Sequence, residues 1–101
     1  MDERRKVPRR RVLKEGKIVF PDGMRVLDCT IRDMSESGAK LLIANTVGLP
    51  DSFHLYEKSS GMLYPAAVVW RRPNALGITF AGPASSIRDA ANKRFAQLKI
   101  G

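Results

Sequence analysis

Residues 27–43, LDCTIRDMSESGAKLLI, carry the pattern that decides the fold. Apolar and polar side chains alternate over residues 27–31, which is typical of a strand buried on one face only. Residues 33–38 interrupt the alternation with side chains that hydrogen-bond to nearby backbone, and it resumes over residues 39–43. The stretch therefore predicts two strands of one sheet joined by a tight connection.

Short segments of the same kind recur on both sides of this stretch. Pro21, Asp22 and Gly23 predict a hairpin turn, with the glycine free to take a positive φ. Further strands are predicted near residues 12–20, 53–56, 63–71 and 76–80, and Pro65 indicates an edge or a bulge early in the third of these. Six short strands in succession predict a β-barrel or a sandwich over residues 12–82.

The hydrophobic period changes near the end of the chain. Apolar residues recur at helical spacing after Pro83, Ser86 and Asp89 fit a capping box, and Gly101 fits a helix end. We therefore predict one amphipathic α-helix over residues 83–101.

Length and charge constrain the function. The chain of 101 residues with 44% hydrophobic content supports a single domain with one core, and its net charge is +8. Residues 1–14 hold seven Lys or Arg against two acids, and residues 1–11 offer so little apolar surface that we expect a flexible basic arm. Such an arm indicates an anionic partner (nucleic acid, acidic lipid or a small phosphorylated ligand), although it can also be a solvated tail.

Several classes of function are disfavoured. Cys29 is the only cysteine and His54 the only histidine, so we expect no disulfide, no metal site and no cofactor, and Cys29 is interpreted as a core residue. No apolar run approaches the roughly 18 residues that span a bilayer, and the first residues lack the build of a secretory signal, so we expect a cytoplasmic protein. Ser35 has no evident base partner and the carboxylates form no paired pattern, so we predict no catalytic residues and no enzyme activity.

Two motifs fit recognition of a nucleotide. Arg5 and Arg9 lie four residues apart, a spacing that lets both guanidinium groups contact one ligand through phosphate or the edge of guanine. Asp33, Ser35 and Gly38 form D-x-S-x-x-G, in which a carboxylate can accept from the N1 and N2 donors of guanine and a glycine lets the ligand approach the backbone. The alternative is an ordinary turn, in which the two polar side chains satisfy backbone donors and Gly38 takes a positive φ.

The order of these features resembles the PilZ domain family. That family combines a basic R-x-x-x-R with D/N-x-S-x-x-G, and its strand near the end of the barrel resembles residues 76–80 of this chain. The resemblance covers nearly the whole chain. It implies a six-stranded antiparallel barrel of the PilZ-like split type, followed by a C-terminal helix.

The resemblance also implies a function, the binding of the second messenger cyclic di-GMP in a bacterial signalling pathway. Arg5 and Arg9 would contact phosphate and guanine, while Asp33, Ser35 and Gly38 would hold a guanine at the barrel surface. The residue before the arginine motif, Arg4, would favour binding of the ligand as an intercalated pair. With no output domain in the sequence, a separate downstream protein or an oligomer of this chain would receive the signal.

Two other interpretations stay open at this stage. A small barrel with a basic arm can bind single-stranded nucleic acid, but such proteins expose aromatic rings for stacking. The aromatic residues here are predicted to point mostly into the core, with Trp70 in the core or at its rim; they are Phe20, Phe53, Phe80 and Trp70. The chain can also be an adaptor that has kept the PilZ fold without the ligand. The sequence predicts neither the oligomeric state nor the ligand stoichiometry.

Overall fold

The structure is a computed structural model that describes residues 13–88. The strands are β1 (Lys14–Val19), β2 (Val26–Arg32), β3 (Gly38–Leu42), β4 (Ser52–Glu57), β5 (Met62–Arg72), β6 (Ala75–Phe80) and the short β7 (Ser85–Ser86). The predicted arm over residues 1–11, which includes Arg4, Arg5 and Arg9, lies outside the described residues.

The six longer strands form a closed barrel. They pair in the order β4, β1, β2, β3, β6 and β5, and β5 pairs with β4 to close the sheet. Every pairing is antiparallel. The prediction of a six-stranded antiparallel barrel is therefore confirmed.

The barrel interior holds the apolar residues of the alternating segments. Val19 and Leu63 are fully buried in a second cluster with Tyr56, against which Ile87 packs. The largest fully buried side chains of the interior core are Ile18, Ile31, Leu41, Leu55 and Leu76. Cys29 is also buried in this core, as predicted, and burial raises the pKa of its thiol to about 12. The thiol is therefore protonated at neutral pH and is a poor nucleophile.

The first hairpin turn has the predicted form. Gly23 adopts a φ of 74°, and the Asp22 carboxylate accepts hydrogen bonds from the backbone N–H groups of Met24 and Arg25. These bonds hold the pKa of Asp22 below its ordinary value.

The predicted C-terminal helix lies mostly outside the described residues. At its beginning, residues 85 and 86 form strand β7 instead, because they pair with Leu63 and Met62 along the edge of β5. Ser86 Oγ then accepts a hydrogen bond from the backbone N–H of Arg88 at 3.2 Å, which is the bond that a helix N-cap makes. The helix beyond that point stays a prediction.

A β-bulge in β5 changes the side on which Trp70 lies. Val68 pairs with Ile78, but Trp70 pairs with Gly77, so Val69 is an extra residue between them. Val68 faces the buried side with Ile78, and the extra residue brings Trp70 to the opposite, outer face, where it is 38% exposed. The prediction that Trp70 points into the core is therefore wrong, and the bulge lies four residues beyond Pro65.

Candidate functional site

The connection between β2 and β3, here called the 33–38 turn, is held by backbone hydrogen bonds. The Ser35 N–H donates to the Gly38 carbonyl at 2.8 Å, and the Phe80 N–H donates to the Ser37 carbonyl at 2.8 Å. The Thr79 hydroxyl also donates to the Ser37 carbonyl at 3.0 Å. Strand β6 therefore fixes the far side of the turn.

Ser35 takes part in the internal structure of this turn. Its Oγ accepts a hydrogen bond from the Ser37 N–H at 3.2 Å and lies 3.4 Å from the Gly38 carbonyl oxygen. The motif serine therefore shapes the turn, and its hydroxyl can still exchange these weak contacts for a ligand.

Asp33 behaves differently from an ordinary turn residue. Its φ is 50°, in the left-handed region that Asp and Asn tolerate better than most other residues. Within the part of the chain that the structure describes, its carboxylate has no hydrogen-bond or ion-pair partner. Asp33 is half-buried, and a carboxylate at this position can accept hydrogen bonds from a ligand.

Gly38 is required by packing against the neighbouring strand. It pairs with Thr79, and a Cβ at this position would overlap the carbonyl oxygen of Ile78. The positive φ that the ordinary-turn interpretation assigns to Gly38 occurs instead at Asp33. The glycine therefore permits close contact between β3 and β6.

The motif residues line one cleft. This cleft has a volume of about 320 Å³ and is bordered by Asp33, Ser35, Ser37, Gly38, Ala39, Lys40, Val69, Trp70, Gly77, Ile78 and Thr79. The indole of Trp70 lies over Gly77, where a Cβ would overlap its ring, and the Arg72 guanidinium carbon is 5.0 Å from the ring centroid. The cleft therefore combines the Asp33 carboxylate with an aromatic surface, and Arg72 makes a cation–π contact with that ring.

A larger groove of about 720 Å³ lies over the middle of β1 and β2. Its charged side chains are already paired, because Lys17 binds Asp28 at 2.6 Å and Lys58 binds Glu15 at 3.1 Å. The hydrogen bond from Lys17 raises the pKa of that lysine and lowers the pKa of Asp28. The groove offers a charged ligand fewer free groups than the smaller cleft does.

The described part of the chain begins beside the 33–38 turn. Strand β1 begins at Lys14, which pairs with Ile31, and Asp33 follows Ile31 by two residues. Arg9 precedes Lys14 by five residues, which is a reach of about 16 Å for extended chain. The sequence therefore allows Arg9 to reach the cleft from the point where β1 begins.

Among the cleft residues that the sequence did not predict, Lys40 and Trp70 carry side chains suited to a ligand. Lys40 lies two residues after Gly38, and the burial of Ala39 and Leu41 would have placed it on the outer face. Alternation could not place Trp70, because the bulge precedes it. The available signal was Gly77, since a glycine within a strand indicates that another group approaches the backbone closely, and here that group is the Trp70 ring. The structure thus brings the three predicted motif residues to one cleft with Lys40 and Trp70.

Neither a membrane-spanning helix nor a metal-binding cluster occurs among the described residues. Over residues 13–88, no helix is long and apolar enough to cross a membrane. No group of three or more His, Cys, Asp or Glu side chains is placed to hold a metal ion in the same part of the chain.

Comparison with known proteins gives the family. No curated protein matches this sequence closely. The sequence does match the PilZ domain over residues 3–94, which is most of its 101 residues. The PilZ domain is a cyclic di-GMP-binding family, and its match includes both arginine positions and the whole barrel. This chain belongs to the PilZ domain family.

Proposed function

We propose that this protein is a receptor for cyclic di-GMP that acts by binding, without enzyme activity or a cofactor, in the bacterial cytoplasm. The observation that carries the proposal is the half-buried Asp33 carboxylate, which has no partner among the described residues and lies in one cleft with Trp70. A free carboxylate beside an aromatic ring matches the edge and the face of a guanine base.

Each motif residue has a role in this proposal. Asp33 accepts hydrogen bonds from N1 and N2 of one guanine, and Ser35 contacts a nearby polar atom of the ligand. Trp70 and Arg72 provide a surface on which a base stacks. Gly38 allows the turn to pack closely against β6, and it presents no side chain that would block the ligand.

The arm supplies the remaining contacts. Arg5 and Arg9 donate to phosphate oxygens and to the O6 and N7 edge of guanine, because a planar guanidinium fits both. Arg4 adds a third cation, which favours an intercalated pair of ligands because a pair carries more phosphate charge. Ordering of the arm over the barrel on binding changes the surface that a downstream protein contacts.

Single-stranded nucleic acid is the main alternative ligand. Trp70 supports that alternative, since it is an exposed ring beside cationic side chains. However, Trp70 is the only aromatic residue among the exposed large hydrophobic residues of the described chain. Nucleic-acid-binding barrels stack successive bases on several rings, so a single ring fits one small ligand better.

The test is isothermal titration of the purified protein with cyclic di-GMP. GMP, cyclic di-AMP and a single-stranded oligonucleotide serve as competing probes, and Arg9→Ala as the variant. We expect selective binding of cyclic di-GMP, at least tenfold weaker in the variant because charge-assisted hydrogen bonds are lost. Trp70 is the only tryptophan, so its fluorescence is a second measure of ligand at the cleft.

Other outcomes distinguish the alternatives. Binding of the oligonucleotide with steep salt dependence, and without preference for cyclic di-GMP, would favour the nucleic-acid interpretation. Absence of binding to any of these probes would favour an adaptor that uses the fold alone. The fitted stoichiometry tests the role given to Arg4.

A further inference from the structure

Two cations lie directly opposite each other where the 33–38 turn joins its strands. Arg32, the last residue of β2, pairs with Lys40 of β3. The neighbouring pair, Ile31 with Leu41, is fully buried, so Arg32 and Lys40 share the outer face of the barrel. Like charges in this arrangement destabilise a sheet.

Neither cation has a carboxylate partner among the described residues. Five other cations of the described residues do have one, in the pairs Lys14–Glu57, Lys17–Asp28, Arg25–Asp22, Lys58–Glu15 and Arg71–Asp51, while Arg72 lies over the Trp70 ring. Arg32 and Lys40 differ from these residues because each faces another cation directly across the sheet.

The pair belongs to a row of outward positions that crosses four strands. Lys40 pairs with Gly77 on its other side, and Gly77 pairs with Trp70. Lys40 therefore lines the cleft that also contains Asp33. Because Gly77 has no side chain, nothing on β6 separates Lys40 from the indole ring.

We propose that Arg32 and Lys40 form a phosphate-binding site in the barrel wall, in addition to the arginines of the arm. A phosphate bound between the two cations removes their repulsion and satisfies both with charge-assisted hydrogen bonds. The ligand class is a nucleotide, because the cleft that Lys40 lines, beside Arg32 on the neighbouring strand, also offers a carboxylate and a ring for a base. This inference rests on the proposed function and assigns one phosphate of cyclic di-GMP to the barrel itself.

The test compares Lys40→Gln with Lys58→Gln, a matched lysine whose partner Glu15 lies in the larger groove. Isothermal titration with cyclic di-GMP is carried out at two salt concentrations. For Lys40→Gln we expect about tenfold weaker binding, because one charge-assisted hydrogen bond to the ligand is lost. The affinity of this variant should also depend less on salt, because one cation is lost. Lys58→Gln should bind within about twofold of the unmodified protein, because its charge lies at the other groove and is screened.

A second measurement separates ligand contact from a structural role. Without ligand, Lys40→Gln should melt at the same temperature or about 1–4 °C higher, because it removes a like-charge pair. Lys40→Arg should restore the affinity, since it restores the cation. A lower melting temperature without rescue by Arg would mean that Lys40 is structural and would overturn the inference.

The remaining outcomes distinguish this inference from the proposed function. If Lys40→Gln binds as tightly as the unmodified protein while Asp33→Gly loses binding, the site in the barrel wall is wrong and the receptor function stands. If the unmodified protein does not bind cyclic di-GMP, both are wrong.

Discussion

At the scale of single residues, Asp33 combines a backbone requirement with a carboxylate that has no partner among residues 13–88. Its left-handed conformation explains why Asp or Asn suits this position even before a ligand is considered. Its carboxylate makes no bond within the described residues, so removing it should affect the ligand more than the fold. The two properties can be separated by substitution.

We predict that Asp33→Ala and Asp33→Gly both lose binding of cyclic di-GMP but differ in stability. Alanine in the left-handed region should destabilise the protein by about 1 kcal/mol, which lowers the melting temperature by about 4–8 °C. Glycine adopts this φ freely and should not lower it. Thermal unfolding measured by circular dichroism checks this order, and equal melting temperatures for the two variants would contradict it.

At the scale of elements, a buried carboxylate fixes the strand to which the arm is attached. Glu57, at the end of β4, is 3% exposed and accepts hydrogen bonds from Lys14 Nζ at 2.6 Å, Ser60 Oγ at 2.8 Å and the Tyr64 hydroxyl at 3.0 Å. Burial pushes the pKa of Glu57 upward, but these hydrogen bonds outweigh it and the pKa lies below its ordinary value of 4.5. Burial and the bond to Glu57 raise the pKa of Tyr64.

We predict that Glu57→Gln removes stability that depends on pH. A lowered pKa in the folded state stabilises the protein above pH 4.5, and this contribution is lost as the pH falls through the lowered value. At pH 7 the variant should be less stable by about 1–3 kcal/mol, because Lys14 loses its partner. Denaturant unfolding from pH 7 to pH 3 checks this, and the difference from the unmodified protein should shrink below pH 4.5.

An exposed glutamate provides the control for this experiment. Glu15 pairs with Lys58 at the surface, where ion pairs contribute little, so Glu15→Gln should change stability by less than about 1 kcal/mol. A constant difference between Glu57→Gln and the unmodified protein down to pH 3 would show that the Glu57 carboxylate does not titrate as described.

The elements also show how far the sequence could be interpreted. Alternation predicted all six barrel strands, because one face of each strand is buried and side-chain direction follows the period of two. Alternation gave the wrong face for Trp70, because the inserted residue Val69 places the side chains that follow it in β5 on the opposite face. The residues that face each other across a sheet depend on which strands become neighbours and on their register, and alternation alone gives neither. The Arg32–Lys40 pair therefore could not be predicted.

The site itself was predicted in part. Asp33, Ser35 and Gly38 were identified from their spacing, and the structure places them in one cleft. The spacing did not reveal that the positive φ lies at Asp33 or that Gly38 is required by β6. Those facts depend on the close approach of a strand that follows about forty residues later in the sequence.

At the scale of the whole molecule, the barrel and the predicted arm differ in composition. The described core is formed by residues of the barrel strands and their loops. Residues 1–11 contribute six basic side chains, Arg4, Arg5, Lys6, Arg9, Arg10 and Arg11, and almost no apolar ones. Ligand binding should therefore change the arm far more than the barrel.

We predict that saturating cyclic di-GMP slows amide hydrogen exchange in residues 1–11 and leaves the barrel strands nearly unchanged. The ligand phosphates neutralise the arginines and so offset the entropy lost on ordering. Hydrogen exchange read by mass spectrometry checks this, with Asp33→Gly plus ligand as the control that should show no slowing. Equal exchange of the arm with and without ligand would contradict the proposed ordering of the arm on binding.

Gly38 bears on how ligand-free descendants of such a protein would look. In a barrel that no longer bound nucleotide, selection would no longer maintain Asp33 and the arginines of the arm, and these positions would accumulate substitutions. Gly38 would be retained, because any side chain there collides with the Ile78 carbonyl whether or not a ligand is present. If the proposed function holds, Gly38 marks proteins that share the fold, whereas Asp33 and the arm arginines mark those that still bind the ligand.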